Sequence, residues 1–193
     1  TISEESADRA PVSVYARNKC DAEDILTKMT DDRFGPVLLR FATLHGMSAR
    51  PRFDLVVNLF ASRAQRTGKI TVFGGDQWRP FVHCADVAEG IIRVIRAESS
   101  VVEGETFNVG SNAENYRIGD IASIVASIRP GTEVIVSDGV DDERDYRVSF
   151  NKIRDRLGFA PARSVRESVT ELQDWLDQHP EVDIGDSIFS NVR

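Results

Sequence analysis

"PVSVYARNKCDAEDIL", residues 11–26, sets Tyr15 and Lys19 four residues apart in a segment that otherwise has the pattern of an amphipathic helix. Pro11 suits a first helical turn, and Ala22, Ile25, Leu26 and Met29 fall at helical spacing until "TDDRFG" closes the segment at Gly35. A helix is therefore predicted over roughly residues 12–30. On it Tyr15, Lys19, Ala22 and Leu26 share one stripe, apolar except for the ammonium. A core tyrosine beside a snorkelling lysine is the plain structural explanation of such a pair. The chemical explanation is preferred. A phenol, with a pKa of about 10, is protonated at neutral pH, but a fixed ammonium nearby favours the phenolate and makes it a general base toward an alcohol. In an alcohol oxidation Tyr15 would take the hydroxyl proton while a nicotinamide takes the hydride. Lys19 would stabilise the phenolate and bond the nicotinamide ribose.

Outward from that helix, helical and extended patterns alternate. "PVLLRF" (36–41) is a short apolar run of the kind a doubly covered parallel strand shows, followed by the irregular, basic "ATLHGMSARPR". Residues 53–66 have a helix pattern ending near Gly68, "KITVF" (69–73) reads as a strand, and "GGDQWRP" as turn material. "FVHCADVAEGIIRVIRA" gives a short strand and a helix with Asp86 near its start, placed to accept orphan amide hydrogens. "ETFNVG" and "TEVIV" are further strands, separated by the helix "IGDIASIVASI" (118–128). Ser164 to Glu167, "SVRE", is a capping box opening a helix to about Gln178, with Val165, Val169, Leu172 and Leu176 on one face. With no internal repeat and no low-complexity tract, the class is α/β.

Composition removes several function classes. Of 193 residues 41% are hydrophobic, enough for one sizeable core or two small ones, and no stretch approaches the length of a membrane span. A net charge of −7 disfavours a nucleic-acid or anionic-membrane surface while leaving room for a local arginine cluster around one small anion. Cys20 and Cys84 form neither a CxxC pair nor a disulfide framework, and His45, His83 and His179 have no metal-ligand spacing. His45 and His83 are each expected to be a lone, structurally satisfied imidazole. A cytoplasmic setting fits, and the start, "TISEESADRAP", without an initiator Met, reads as that of a fragment.

The chain resembles the C-terminal part of an extended short-chain dehydrogenase/reductase, of the NAD-dependent epimerase/dehydratase family that acts on nucleotide sugars. Five blocks carry the likeness in family order: "PVSVYARNKCDAE", "LLRFATLHG", "ITVFGGDQWRPFVHCADVA", "ETFNVGS" and "RDYRVSFNKIRDRLGF". The resemblance implies that residues 1–50 and about 78–112 are the remainder of a Rossmann-type NAD(P)-binding, doubly wound parallel sheet. It assigns 51–77 and 113–193 to a smaller α/β substrate-binding domain. It implies that Tyr15 and Lys19 are the catalytic pair and contact the cofactor, that Ala42 lies at the nicotinamide and that Thr43 faces the substrate. Arg79 matches the arginine that grips the nucleotide diphosphate, and Asn108 and Arg144 are similar to positions contacting the same group. Guanidinium forks suit phosphate oxygens in a way lysine does not. Simple ion pairing, of Arg79 with Asp76 or Asp86 and of Arg144 within the acid-rich "DGVDDERD", is the alternative. Asp54, in a helix's first turn, is explained by the macrodipole and stays outside the site.

No G-x-G-x-x-G joins a strand to a helix, and "FGGDQW" has neither that spacing nor the following helix. The cofactor's phosphate site and the family's Ser or Thr partner of Tyr15 are thus expected outside these residues, and the chain is not expected to turn over alone. The activity implied is that of an NAD-dependent nucleotide-sugar epimerase/dehydratase, with NADP not excluded, a nucleotide-diphosphate sugar as substrate, and homodimer assembly. A reductase of the same family, or a non-catalytic ligand-binding relative or inactive fragment, is the competing expectation. The latter has no need of a phenolate base.

Overall fold

Leu38 to His45 is nearly continuous extended chain that changes partners halfway. The computed structural model describes residues 1–6, 11–137 and 144–191. In it β1 (Leu38–Phe41) pairs in parallel with β5 (Thr106–Val109), whereas β2 (Thr43–His45) pairs in parallel with β4 (Trp78–His83). Ala42 is the hinge, its N–H donating to the carbonyl of Val109 at 3.1 Å. β6 (Asn115–Arg117) adds to β4 antiparallel, and β3 (Lys69–Phe73) pairs in parallel with β7 (Glu133–Ser137). Parallel neighbours require crossover connections, and α2 (Val56–Thr67), α3 (Cys84–Arg96), α4 (Ser99–Val102) and α5 (Ile118–Ile128) lie between the paired strands, whereas α1 (Val14–Lys28) precedes β1 and α6 (Asn151–Leu157) and α7 (Val165–Gln178) follow β7. The fold is α/β, as the alternating pattern predicts.

Two local readings are corrected. The stretch after Phe41, read as irregular, contains β2, and "GGDQWRP", read as turn, is turn only as far as Gln77, after which β4 begins. β2 is too short to show a period of its own and exists because β4 pairs with it. It ends at Gly46, whose φ of 90° and close approach to the His83 ring leave no space for a Cβ. Asn58 of α2 holds that corner from both sides, accepting from the Gly46 N–H at 3.0 Å and donating to its carbonyl at 3.2 Å.

The apolar core forms two clusters. One joins α2, β3, α5 and α7 through residues such as Phe60, Ile70, Ile121 and Leu172; the other joins β5, α3 and the 150–159 segment through Phe107, Val87, Ile153 and Phe159. α7 illustrates how sequence reaches packing. Ser164 Oγ accepts from the Glu167 N–H at 3.2 Å while the Glu167 carboxylate accepts from the Ser164 N–H at 2.8 Å, satisfying orphan amides at the helix start. Val165, Val169, Leu172 and Leu176 then fall on one fully buried face. Ser164→Ala is expected to cost about 1 kcal/mol, seen as a lower urea midpoint with an unchanged slope. A midpoint equal to wild type would mean that water replaces the cap at no cost.

Candidate active site

The site is organised on α1. Ser13 caps it, its Oγ accepting from the Ala16 N–H at 3.1 Å, so the helix begins immediately before Tyr15. One turn on, the Lys19 ammonium lies 5.5 Å from the Tyr15 ring centroid. Tyr15 is 72% exposed. The phenol thus stands at a surface rather than in a core, against the plain packing explanation of the pair.

Tyr15 and Lys19 line a cleft of about 560 Å³. Ala42, Asn108 and Arg144 line the same cleft, each from a different part of the chain. Ala42 presents only a methyl group at the β1–β2 junction. Asn108 is buried in β5, its backbone N–H donating to Glu4 Oε1 at 2.8 Å and its side-chain amide to the Ser149 carbonyl at 3.2 Å. That second bond draws the C-terminal segment carrying Arg144 and Tyr146 up to the sheet. The structure therefore brings together five of the seven residues predicted for the site.

The other two stand back from the cleft. Thr43 opens β2 opposite Phe81, half-buried. Arg79, in β4, is 6% exposed; its Nη1 donates to the Trp78 carbonyl at 2.6 Å and its guanidinium lies 5.4 Å from the ring centroid of Tyr146, which itself lines the cleft. Arg79 is not the surface partner of either acid proposed for it. Asp76 takes Arg117 at 3.2 Å, and Asp86 takes the N–H and guanidinium of Arg163 at 2.9 and 3.0 Å. Asp86 consequently does not cap its own helix, a role filled by the His83 imidazole accepting from the Ala85 N–H at 3.0 Å. Asp54 is committed to Arg52 at 2.7 Å, whose hydrogen bond holds its carboxyl below the usual range.

Sequence reasoning missed Tyr146, Glu23 and Arg40, all of which line the cleft. Glu23 carried a signal, since it continues the four-residue interval of Tyr15 and Lys19. The histidines, read as isolated, form a pair: the rings of His45 and His83 are edge-to-face with centroids 5.7 Å apart. His83 Nε2 lies 3.3 Å from Glu171 Oε2, and His45 Nδ1 lies 2.9 Å from Ser168 Oγ. Burial, with His83 adding to it, pushes the His45 imidazole down to about 3. Among the described residues no group of three or more His, Cys, Asp or Glu could hold a metal ion, and no helix is long and apolar enough to cross a membrane.

Comparison with known proteins places the chain in a family. The pattern of the NAD dependent epimerase/dehydratase family matches residues 1–110. A dTDP-glucose 4,6-dehydratase of Xanthomonas campestris pv. campestris is 27% identical over 183 residues, 89% of this chain and 51% of that protein. A dTDP-L-rhamnose 4-epimerase of Burkholderia thailandensis is 28% identical over 176 residues, covering 87% of this chain and 47% of that one. The solved structure of MoeE5 in complex with UDP-glucuronic acid and NAD superposes with a TM-score of 0.77 at 22% identity, over 92% of this chain and 60% of that one, and so shares the fold. The chain spans about half the length of the curated relatives it matches.

Proposed function

The chain belongs to the NAD dependent epimerase/dehydratase family, and from that premise we propose that it serves the epimerisation or dehydration of a nucleotide-diphosphate sugar, beginning with oxidation of a sugar hydroxyl. The observation carrying the reading is that Tyr15 and Lys19, one turn apart on α1, line one cleft with Ala42, Asn108 and Arg144.

NAD, when bound, supplies the hydride acceptor for that oxidation. The residues present fit its nicotinamide end: Ala16 and Ala42 give a smooth apolar wall, with the Lys19 ammonium and Tyr15 hydroxyl as the polar groups beside it. They do not supply a glycine-rich strand-to-helix cradle for its pyrophosphate. Tyr15, in its phenolate form, takes the proton of the sugar hydroxyl at Oη and becomes neutral, and the Lys19 ammonium one helical turn on favours the phenolate that begins the step. Arg144 reaches the same cleft from the C-terminal segment and offers a guanidinium fork to the diphosphate. Arg79, behind Tyr146, supports that wall and adds a second positive charge next to it. Thr43 is the candidate for contact with the sugar.

Calorimetric titration with dTDP-glucose and UDP-glucuronic acid tests the binding half of this reading. Arg144→Ala is expected to weaken whichever nucleotide sugar binds by about 10-fold or more, the loss of one charge-assisted phosphate contact. Binding that is absent for every nucleotide sugar, or indifferent to Arg144, would remove the diphosphate from the site.

A further inference from the structure

α1 carries the two residues on which the proposed chemistry depends, yet apolar packing does not fix it. None of its residues, all of them described, is buried. An ionic fork ties it to the sheet. Glu23 follows Tyr15 and Lys19 at the same four-residue interval, so the three lie along one stripe of the helix, and all three line the cleft. Arg40 of β1 meets Glu23 there. Its Nε lies 2.9 and 3.1 Å from the two carboxylate oxygens, and its Nη2 donates to Oε2 at 2.5 Å. Both side chains are mostly buried, with 28% and 20% of their surface exposed.

Arg40 also reaches beyond α1. Its Nη1 lies 3.5 Å from the carbonyl of Glu4, and its strand partner in the β1–β5 register is Asn108, whose N–H donates to Glu4 Oε1 at 2.8 Å. One guanidinium thus ties the helix bearing Tyr15 and Lys19, the strand leading to Ala42 and the segment that braces Asn108. These are three walls of one cleft.

The geometry points to Arg40 as a positioning residue: by holding Glu23 it sets the height and rotation of α1 over the sheet, and so the placement of Tyr15 Oη and Lys19 Nζ relative to Ala42. A planar two-nitrogen fork fixes both distance and orientation, which a lysine at this position would not do. The fork joins α1 to β1 and touches none of the residues of the α2–β3–α5–α7 cluster, so the consequence of losing it falls on α1 first. This inference rests on the proposed roles of Tyr15 and Lys19 and adds the residue that aims them.

Arg40→Met removes the fork and keeps the aliphatic stem. Hydrogen exchange on the chain itself should show α1 amides exchanging about 10-fold faster or more, while α7 amides keep their wild-type protection. The charge-swapped pair, Glu23→Arg with Arg40→Glu, should restore α1 protection toward wild type. In the NAD-loaded enzyme the same Arg40→Met change should lower kcat by about 10- to 100-fold with little change in the KM for nucleotide sugar, the signature of misplaced reacting groups. Unchanged α1 exchange, or equal acceleration in α1 and α7, would overturn the inference, as would a swapped pair exchanging no slower than Arg40→Met. Absence of any nucleotide-sugar oxidation by an NAD-loaded wild type that includes a pyrophosphate cradle would defeat the proposed function, and the exchange measurement would still decide whether Arg40 anchors α1.

Discussion

Tyr15→Phe is expected to slow oxidation of a nucleotide-sugar hydroxyl by about 10²- to 10⁴-fold, the usual contribution of a positioned general base, while leaving the fold as it is. The substitution removes one oxygen from a side chain that is 72% exposed and has little packing to lose, so its effect on stability should stay within about 0.5 kcal/mol. The Lys19 ammonium keeps its place against the ring, and Arg144 keeps its place in the cleft, so affinity for the nucleotide sugar should hold. The missing rate, about 3–5 kcal/mol of barrier, is then assignable to the proton that Phe cannot accept. Single-turnover appearance of reduced nicotinamide, beside a thermal melt and a binding titration, separates the three quantities. A rate equal to wild type would take Tyr15 out of the chemistry and leave the cleft as a binding site only. A rate that falls together with affinity and melting temperature would make the residue structural.

That prediction turns on a pair legible in sequence because both partners sit on one helix, where spacing is geometry. The same holds for α7, whose capping box and four-residue apolar face are local facts, and for α5, whose predicted span of 118–128 is the observed one. Legibility fails where the partner is distant. β2 and β6 are three residues each and exist through pairing with β4, which a period of two cannot announce over so short a run. The burial of Arg79 is not visible in its sequence neighbours, because Tyr146, far along the chain, packs on its guanidinium. Arg40 read as one residue of an apolar strand, and its tie to Glu23, 17 residues upstream, appears only when α1 is laid across β1. The separation between a helix-borne motif and its anchor is therefore physical. The motif is encoded at a four-residue interval, its anchor in the tertiary fold.

The histidine pair gives the largest expected effect on stability, and its sign follows from burial. His45 is 2% exposed, and its protonation in the folded state is pushed down to about 3 from 6.5. Its surroundings explain why. Ser168 Oγ donates to the Ser164 carbonyl, so the hydroxyl oxygen is left to accept from His45 Nδ1–H, and Nε2 is buried with no hydrogen-bond partner. A second proton on the ring would sit in a buried site beside the His83 ring, and the Glu171 carboxylate there is engaged with His83 Nε2. Unfolded chains therefore bind a proton that the folded chain refuses. Stability is complete above about pH 6.5 and falls as pH is lowered toward 3, by up to about 5 kcal/mol at the low end. His45→Asn keeps a donor toward Ser168 and cannot titrate; it should lose a pH-independent increment from the smaller side chain. Urea unfolding of both proteins between pH 4 and 7 then isolates the imidazole, because acidic groups held by cations, such as Asp54 by Arg52 and Glu105 by Lys152 and Arg156, weaken both proteins alike. The wild-type curve should drop more steeply than the variant's through this window. Parallel curves would mean that His45 takes up its proton in the folded state, and that α7, which supplies Ser168 and Glu171, moves aside to allow it.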